Sequence, residues 1–122
     1  MARILLVEDD PAIAQMYALR LQQDWEILVA GDGATAIDTA LSAVPDLIVL
    51  DIQLPIKNGI EVLRELRAQP STNAIPVVVL SNTPGAMSMD VAHQLGISAW
   101  AVKSATTPNQ LSGLVAAYLN ST

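Results

Sequence analysis

Five short apolar runs punctuate the chain, each followed by turn-forming residues and then by a stretch whose apolar positions recur at helical spacing. The first run is Ile4 to Val7. Beyond it, Asp10 and Pro11 have the form of a helix cap with proline at the first helical position, and Ile13, Met16, Tyr17 and Leu21 give that helix an apolar face. The second run, Ile27 to Val29, closes on Gly31-Asp32-Gly33; Ala36, Ile37, Ala40 and Leu41 then mark a helix that Pro45 terminates. Leu47 to Leu50 is unbroken, too short for an ordinary helix and rich in branched side chains, as expected of a strand buried on both faces. A loop over Pro55 to Gly59 leads into a third helix with Ile60, Leu63 and Leu66 inside and Glu61, Arg64, Glu65 and Arg67 on its outer face. A further loop over Gln69 to Ala74 precedes the fourth run, Pro76 to Leu80, after which Thr83-Pro84 offers a cap for a fourth helix ending about Leu95. Gly85, Ser88 and Asp90 weaken that helix. Ser98 to Val102 predicts a fifth strand, and Thr107-Pro108-Asn109-Gln110 has the form of a capping box ahead of a last helix carrying Leu111, Leu114, Val115 and Tyr118.

Strict alternation of five strands with five helices over short connections specifies an α/β fold, a parallel sheet with helices on both faces. In a parallel sheet the carboxyl ends of the strands share one edge, where open α/β folds keep their ligands. Here that edge would gather Glu8 and Asp9 after the first strand, Asp51 after the third, Ser81 after the fourth and Lys103 after the fifth. Three carboxylates brought together repel, and they stay ionised only against a compensating cation. Lys103 supplies one positive charge, and a hard divalent ion would supply the rest. Magnesium suits such a set, because it prefers oxygen ligands, keeps several waters and accepts phosphoryl oxygens. Asp51 is then placed to act as a nucleophile that forms an acyl phosphate, and Ser81 to donate a hydroxyl to a phosphoryl oxygen. Asp10, by contrast, reads as a helix cap alone.

Composition narrows the field. At 122 residues with 52% apolar content, the chain is expected to form one domain over residues 1–122 with a compact core, built almost without aromatic side chains because Phe is absent. Twelve acidic residues against six basic ones argue against direct nucleic-acid binding, which needs clustered Lys and Arg. No run reaches the length of a membrane span and no signal-peptide layout opens the chain, so a soluble, cytoplasmic protein without membrane association is expected. With no Cys, thiolate metal sites and a Cys nucleophile are excluded. His93 falls on the weak fourth helix and reads as a surface residue, while Met87 and Met89 fit either the core or an apolar partner surface.

Four motifs in order, VEDD at 7 to 10, LDIQLPIKNG at 50 to 59, Ser81 after VVVL and Lys103 after AWAV, make the chain resemble a response-regulator receiver domain of two-component signalling, similar to CheY, over essentially its whole length. The resemblance implies a flavodoxin-like (βα)5 sandwich with strand order 2-1-3-4-5. It implies that Asp51 is the phospho-acceptor and that Mg2+, with Mn2+ as its substitute, is bound directly by Asp9 and Asp51, by the backbone carbonyl of Gln53, and by Glu8 through water. Ser81 takes the switch hydroxyl position, Trp100 the switch aromatic and Lys103 the phosphoryl-contacting lysine. The implied partners are a sensor histidine kinase or phosphotransfer protein and a downstream effector, with a homodimer through the face of helix four, strand five and helix five as a further option. Such a domain catalyses its own phosphorylation and dephosphorylation but turns over no separate substrate. A receiver-like interaction domain that acts without phosphate is the alternative. A dedicated phosphatase would need a capping insertion that the chain lacks, and flavin binding would need a phosphate loop where strand one presents acids.

Three positions depart from the family's pattern. Ser104 stands where Pro usually follows the lysine, and a cis Lys-Ser bond would cost about 2.5–4 kcal/mol; either a trans bond with a shifted loop or a cis bond held by its surroundings is expected. Asn82 replaces a very small residue and is expected to narrow access to the phosphate, while Gln53 sits at a position that tunes phosphoryl lifetime. Asn58 replaces a common acid, with no consequence that the sequence alone supplies.

Overall fold

The computed structural model describes residues 1–82 and 86–119, with only the backbone described at 86–88. The elements follow in the order β1 (Arg3–Val7), α1 (Pro11–Leu21), β2 (Glu26–Ala30), α2 (Gly33–Ala43), β3 (Leu47–Asp51), α3 (Gly59–Ala68), β4 (Val77–Ser81), α4 (Ala86–Gln94), β5 (Ala99–Val102), a 3-10 turn (Lys103–Ala105) and α5 (Pro108–Leu119). The five strands form one parallel sheet in the order β2-β1-β3-β4-β5. The expected flavodoxin-like topology is therefore present. The expected cap at Thr83-Pro84 and the side chain of Met87 lie outside the described residues.

The unbroken apolar runs are explained by burial on both faces. Ile4, Leu6, Leu47, Val49, Val78 and Leu80 face one side, where they meet Ala14, Tyr17 and Leu21 of α1 and Leu111 and Val115 of α5. Leu5, Val7, Ile48, Leu50, Val77 and Val79 face the other, against Ala36 and Ala40 of α2, Val62, Leu63 and Leu66 of α3 and Ala92 of α4. Each such Leu, Ile or Val contributes about 1.5–3 kcal/mol by leaving water, which fixes the register of the central strands. β2 and β5, at the two edges, are only partly covered.

Local chemistry sets the helix ends. The Asp10 carboxylate accepts the Ala12 and Ile13 N–H groups ahead of Pro11, and Thr107 and Gln110 exchange side-chain and backbone bonds at 2.8 and 3.1 Å in the expected capping box. Asn58, silent in the sequence, caps α3 by accepting the Glu61 N–H at 3.0 Å. α2 ends at Ala43, where Val44 takes a left-handed φ of 43° before Pro45.

Some inward assignments are corrected. Met16 is 44% and Leu41 38% exposed, because Ala14, Tyr17 and Leu21 take the inner stripe of α1 and small Ala36 and Ala40 let α2 lie close to the sheet. Arg67 is not a solvated outer residue either. Its half-buried guanidinium donates to the carbonyls of Leu95, Ile75, Thr72 and Gly96 at 2.7, 2.9, 3.3 and 3.3 Å, joining α3 to the end of α4. His93 is exposed, as expected.

Candidate functional site

In this strand order the connections from β1 and β3 leave the sheet in opposite directions, to β2 and to β4, which opens a crevice at their carboxyl ends. Val7 and Leu50 are register partners, so Glu8 and Asp51 emerge side by side above them. Ser81, the last residue of β4, pairs with Val102, and Lys103 follows immediately. The residues expected from sequence therefore meet at one edge.

Carboxylate oxygens of Glu8, Asp9 and Asp51 lie within 4.8 Å of one another. Glu8 and Asp51 are buried and Asp9 is exposed. The Lys103 ammonium bridges the two buried acids, 2.7 Å from Glu8 Oε1 and 2.9 Å from Asp51 Oδ2. With side chains exposed only 9% for Lys103 and 1% for each acid, this is a desolvated ion triad rather than a surface pair. Removing one member of such a buried pair typically costs about 3–5 kcal/mol, because the charge left behind has lost both water and partner. The other Asp51 oxygen accepts the Gln53 N–H at 2.9 Å, which pins the carboxylate to the loop after β3. Glu8 is pinned in the same way by the Asp10 N–H at 3.1 Å.

Burial pushes the Glu8 carboxyl above its ordinary value, against the lowering effect of its bonds from Lys103 and Asp10. For Lys103, burial alone would lower the pKa, yet the bonds to Asp51 and Glu8 and the charges of both acids outweigh it and hold the ammonium above the usual lysine range. Lys103 thus stays charged throughout the neutral range.

The donor set suits a hard divalent cation. It consists of carboxylate oxygens, and formally three acids against one ammonium leave two negative charges. Among the described residues Glu8 Oε1 has no partner besides the ammonium. Asp9 faces solvent, from which an ion would enter.

Ser104 does not displace the lysine. No cis peptide bond occurs among the described residues, so the Lys103-Ser104 bond is trans, and the chain turns through the 3-10 turn with the ammonium already seated. Trp100 packs partly buried against the α3 and α4 side of the sheet, its indole N–H buried without a partner among the described residues. Asn82 follows Ser81 at the same edge and is exposed. Sequence reasoning missed Tyr17, whose hydroxyl donates to the Thr106 carbonyl at 2.8 Å. A tyrosine within an apolar helical stripe carries no signal that its hydroxyl reaches the lysine's turn.

Comparison with known proteins agrees with this geometry. The model of the response regulator receiver domain family matches residues 4–115. The DNA-binding response regulator MtrA of Mycolicibacterium smegmatis is 34% identical over 102 residues, covering 83% of this chain and 43% of MtrA. The chemotaxis protein CheY4 of Vibrio cholerae has the same fold with a TM-score of 0.89 at 28% identity, over 96% of this chain and 98% of that one. The Mn2+-bound form of response regulator Rcp1 gives a TM-score of 0.85 at 28% identity, over 100% of this chain and 97% of that one. The chain spans less than half the length of the curated relatives it matches.

Proposed function

Since the chain belongs to the response regulator receiver domain family, we propose that Asp51 is its phospho-acceptor and that residues 1–122 work as one phosphorylation-switched signalling domain. The observation that carries the proposal is the Lys103 ammonium seated against Asp51 and Glu8 at the carboxyl edge of the sheet, with Asp9 beside them. In the proposed step an Asp51 oxygen forms a bond to phosphorus as the P–N bond of a donor phosphohistidine breaks, the electron pair leaving with the imidazole. Later attack of water on phosphorus returns the carboxylate and releases phosphate. Charge builds on the phosphoryl oxygens, and the fixed ammonium of Lys103 neutralises part of it without having to reorganise.

Asp9 and Asp51, with the Gln53 carbonyl and with Glu8 through water, would hold Mg2+, or Mn2+ in its place. When bound, the ion neutralises charge on the transferring group. The Mn2+-bound form of the similar Rcp1 supports this reading. Ser81, buried at the end of β4, would then donate its hydroxyl to a phosphoryl oxygen, and Lys103 would exchange its contact with Asp51 for one with the phosphate. Trp100, on the next strand, would report that rearrangement to the face formed by α4, β5 and α5. A histidine kinase or phosphotransfer protein is the proposed donor, and an effector protein or domain, or a second copy of the chain, the proposed reader of that face. The domain catalyses its own modification, turns over no separate substrate and works in the cytoplasm. Among the described residues no helix is long and apolar enough to cross a membrane.

Beryllofluoride, a phosphoryl mimic, tests the switch. Added with Mg2+, it is expected to shift the NMR signals of the Trp100 indole and of residues along α4, β5 and α5. Perturbation confined to the residues around Asp51 would contradict a switch through that face.

A further inference from the structure

We propose that Tyr17 is a positioning residue for Lys103: from the middle of α1 its hydroxyl fixes the turn that carries the lysine and so holds the ammonium between Glu8 and Asp51. The inference rests on the reading of the site given above.

Tyr17 is among the largest fully buried side chains, packed with Leu21, Leu111 and Val115 between the sheet and the α1–α5 pair. A phenol in such a place needs a hydrogen-bond partner, because an unpaired buried hydroxyl loses its bonds to water without replacement. It donates to the Thr106 carbonyl oxygen at 2.8 Å, and the Lys103 carbonyl oxygen lies 3.4 Å away. Beyond the contacts of the Lys103 ammonium with Glu8 and Asp51, the turn has little else to hold it. None of Lys103, Ser104 and Ala105 is buried, and Ser104 and Ala105 are exposed. Besides Tyr17, the backbone ties of the turn among the described residues are the Thr106 hydroxyl, which donates to the Val102 carbonyl at 2.7 Å, and the Thr106 N–H, which donates to the Lys103 carbonyl at 3.3 Å. Both run within the turn and its own strand. Among the described residues, Tyr17 is the tie from the backbone of the turn to a different element.

That element is referenced to the acids. α1 begins at Pro11, just after Asp10, whose N–H is bonded to Glu8 at 3.1 Å and whose carboxylate caps the helix. One short helical segment therefore sets both the acid at its start and, through Tyr17, the backbone of the lysine that pairs with it. The circuit closes at the 2.7 Å contact between Lys103 and Glu8. Without the hydroxyl the backbone of the turn keeps only its internal bonds, and the ammonium at the end of a flexible four-carbon stem loses its fixed origin.

Tyr17→Phe keeps the ring and its packing and removes only the bond. In the metal-free protein, the 15N ammonium resonance of Lys103, which persists for a lysine sequestered between two acids and is lost to exchange for a solvated one, is expected to weaken or vanish in Tyr17→Phe. Phosphoryl acceptance from acetyl phosphate is expected to slow about tenfold, the scale of a small misplacement of a catalytic group, while affinity for Mg2+ changes little because no carboxylate has moved. Val115→Ala removes volume from the same helix pair and is expected to leave both readouts as in wild type. A wild-type ammonium signal in Tyr17→Phe would overturn the proposal, as would equal losses in Val115→Ala at matched stability. If wild type itself takes no phosphoryl group, the acceptor reading of Asp51 fails instead, and the ammonium signal alone decides the role of Tyr17.

Discussion

Gly59 shows how little room surrounds the proposed acceptor, Asp51, at the level of single residues. A β-carbon there would stand 2.5 Å from the Asp51 carbonyl oxygen and 2.6 Å from Ile52 Cα, both backbone atoms that no rotamer change can move away. Gly59→Ala should therefore cost at least about 1–3 kcal/mol, the usual range for overpacking, and also displace the loop after β3; urea unfolding checks the first effect, and a stability equal to wild type would contradict it. Asn82 makes the opposite case, an exposed side chain beside the buried Ser81. If it screens the phosphoryl group, Asn82→Ala should change the lifetime of the aspartyl phosphate, and equal lifetimes would remove that role. The difference between the two positions is physical. Gly59 is constrained by backbone against backbone, Asn82 only by what approaches from solvent.

Among the elements, helix caps carry separable stability. At the start of α2 the exposed Asp32 carboxylate accepts the Thr35 N–H at 2.8 Å and its hydroxyl at 3.0 Å, and these bonds hold its pKa below the ordinary value. A folded pKa below the unfolded one means that the cap stabilises the protein above the unfolded value and is lost as pH falls through the folded one. Thr35→Ala removes the hydroxyl donor, so the Asp32 carboxyl should titrate closer to the ordinary value by NMR; an unchanged titration would show that the N–H alone sets it. The caps at Asp10 and Thr107 and the alternation of elements were legible in the sequence because they depend on residue type at fixed spacing. Arg67 was not, since a long apolar stem hides where its guanidinium ends, and neither periodicity nor charge marks four carbonyls contributed by separate segments. Met16 was misread for a related reason. Spacing alone cannot say which neighbour on a helix turns fully inward, and the large Tyr17 took that place. At the site, the sequence supplied the acids and the lysine because they stand at strand ends, but the bond from α1 to the lysine's turn is a tertiary contact between residues 89 apart.

At the scale of the whole molecule, the proposed ion site would couple cation binding to stability. A cation that binds the folded acids and not the unfolded chain stabilises by mass action, by about 2.7 kcal/mol at a hundredfold excess over Kd. Mg2+ should thus raise the thermal midpoint of wild type, a chelator should reverse the gain, and Asp9→Asn should abolish most of it; an equal gain in Asp9→Asn would place the ion elsewhere. The same logic would govern the proposed switch, in which a phosphoryl group shifts the population of packings only by as much as Ser81 and Lys103 favour one over the other. All of this depends on Asp51 accepting phosphate. The most direct measurement is intact mass after incubation with Mg2+ and acetyl phosphate, for wild type and Asp51→Asn. The account predicts a Mg2+-dependent phosphoryl adduct on wild type that is absent from Asp51→Asn. An adduct of equal yield on Asp51→Asn, or none on wild type while a known receiver in the same buffer is labelled, would contradict it.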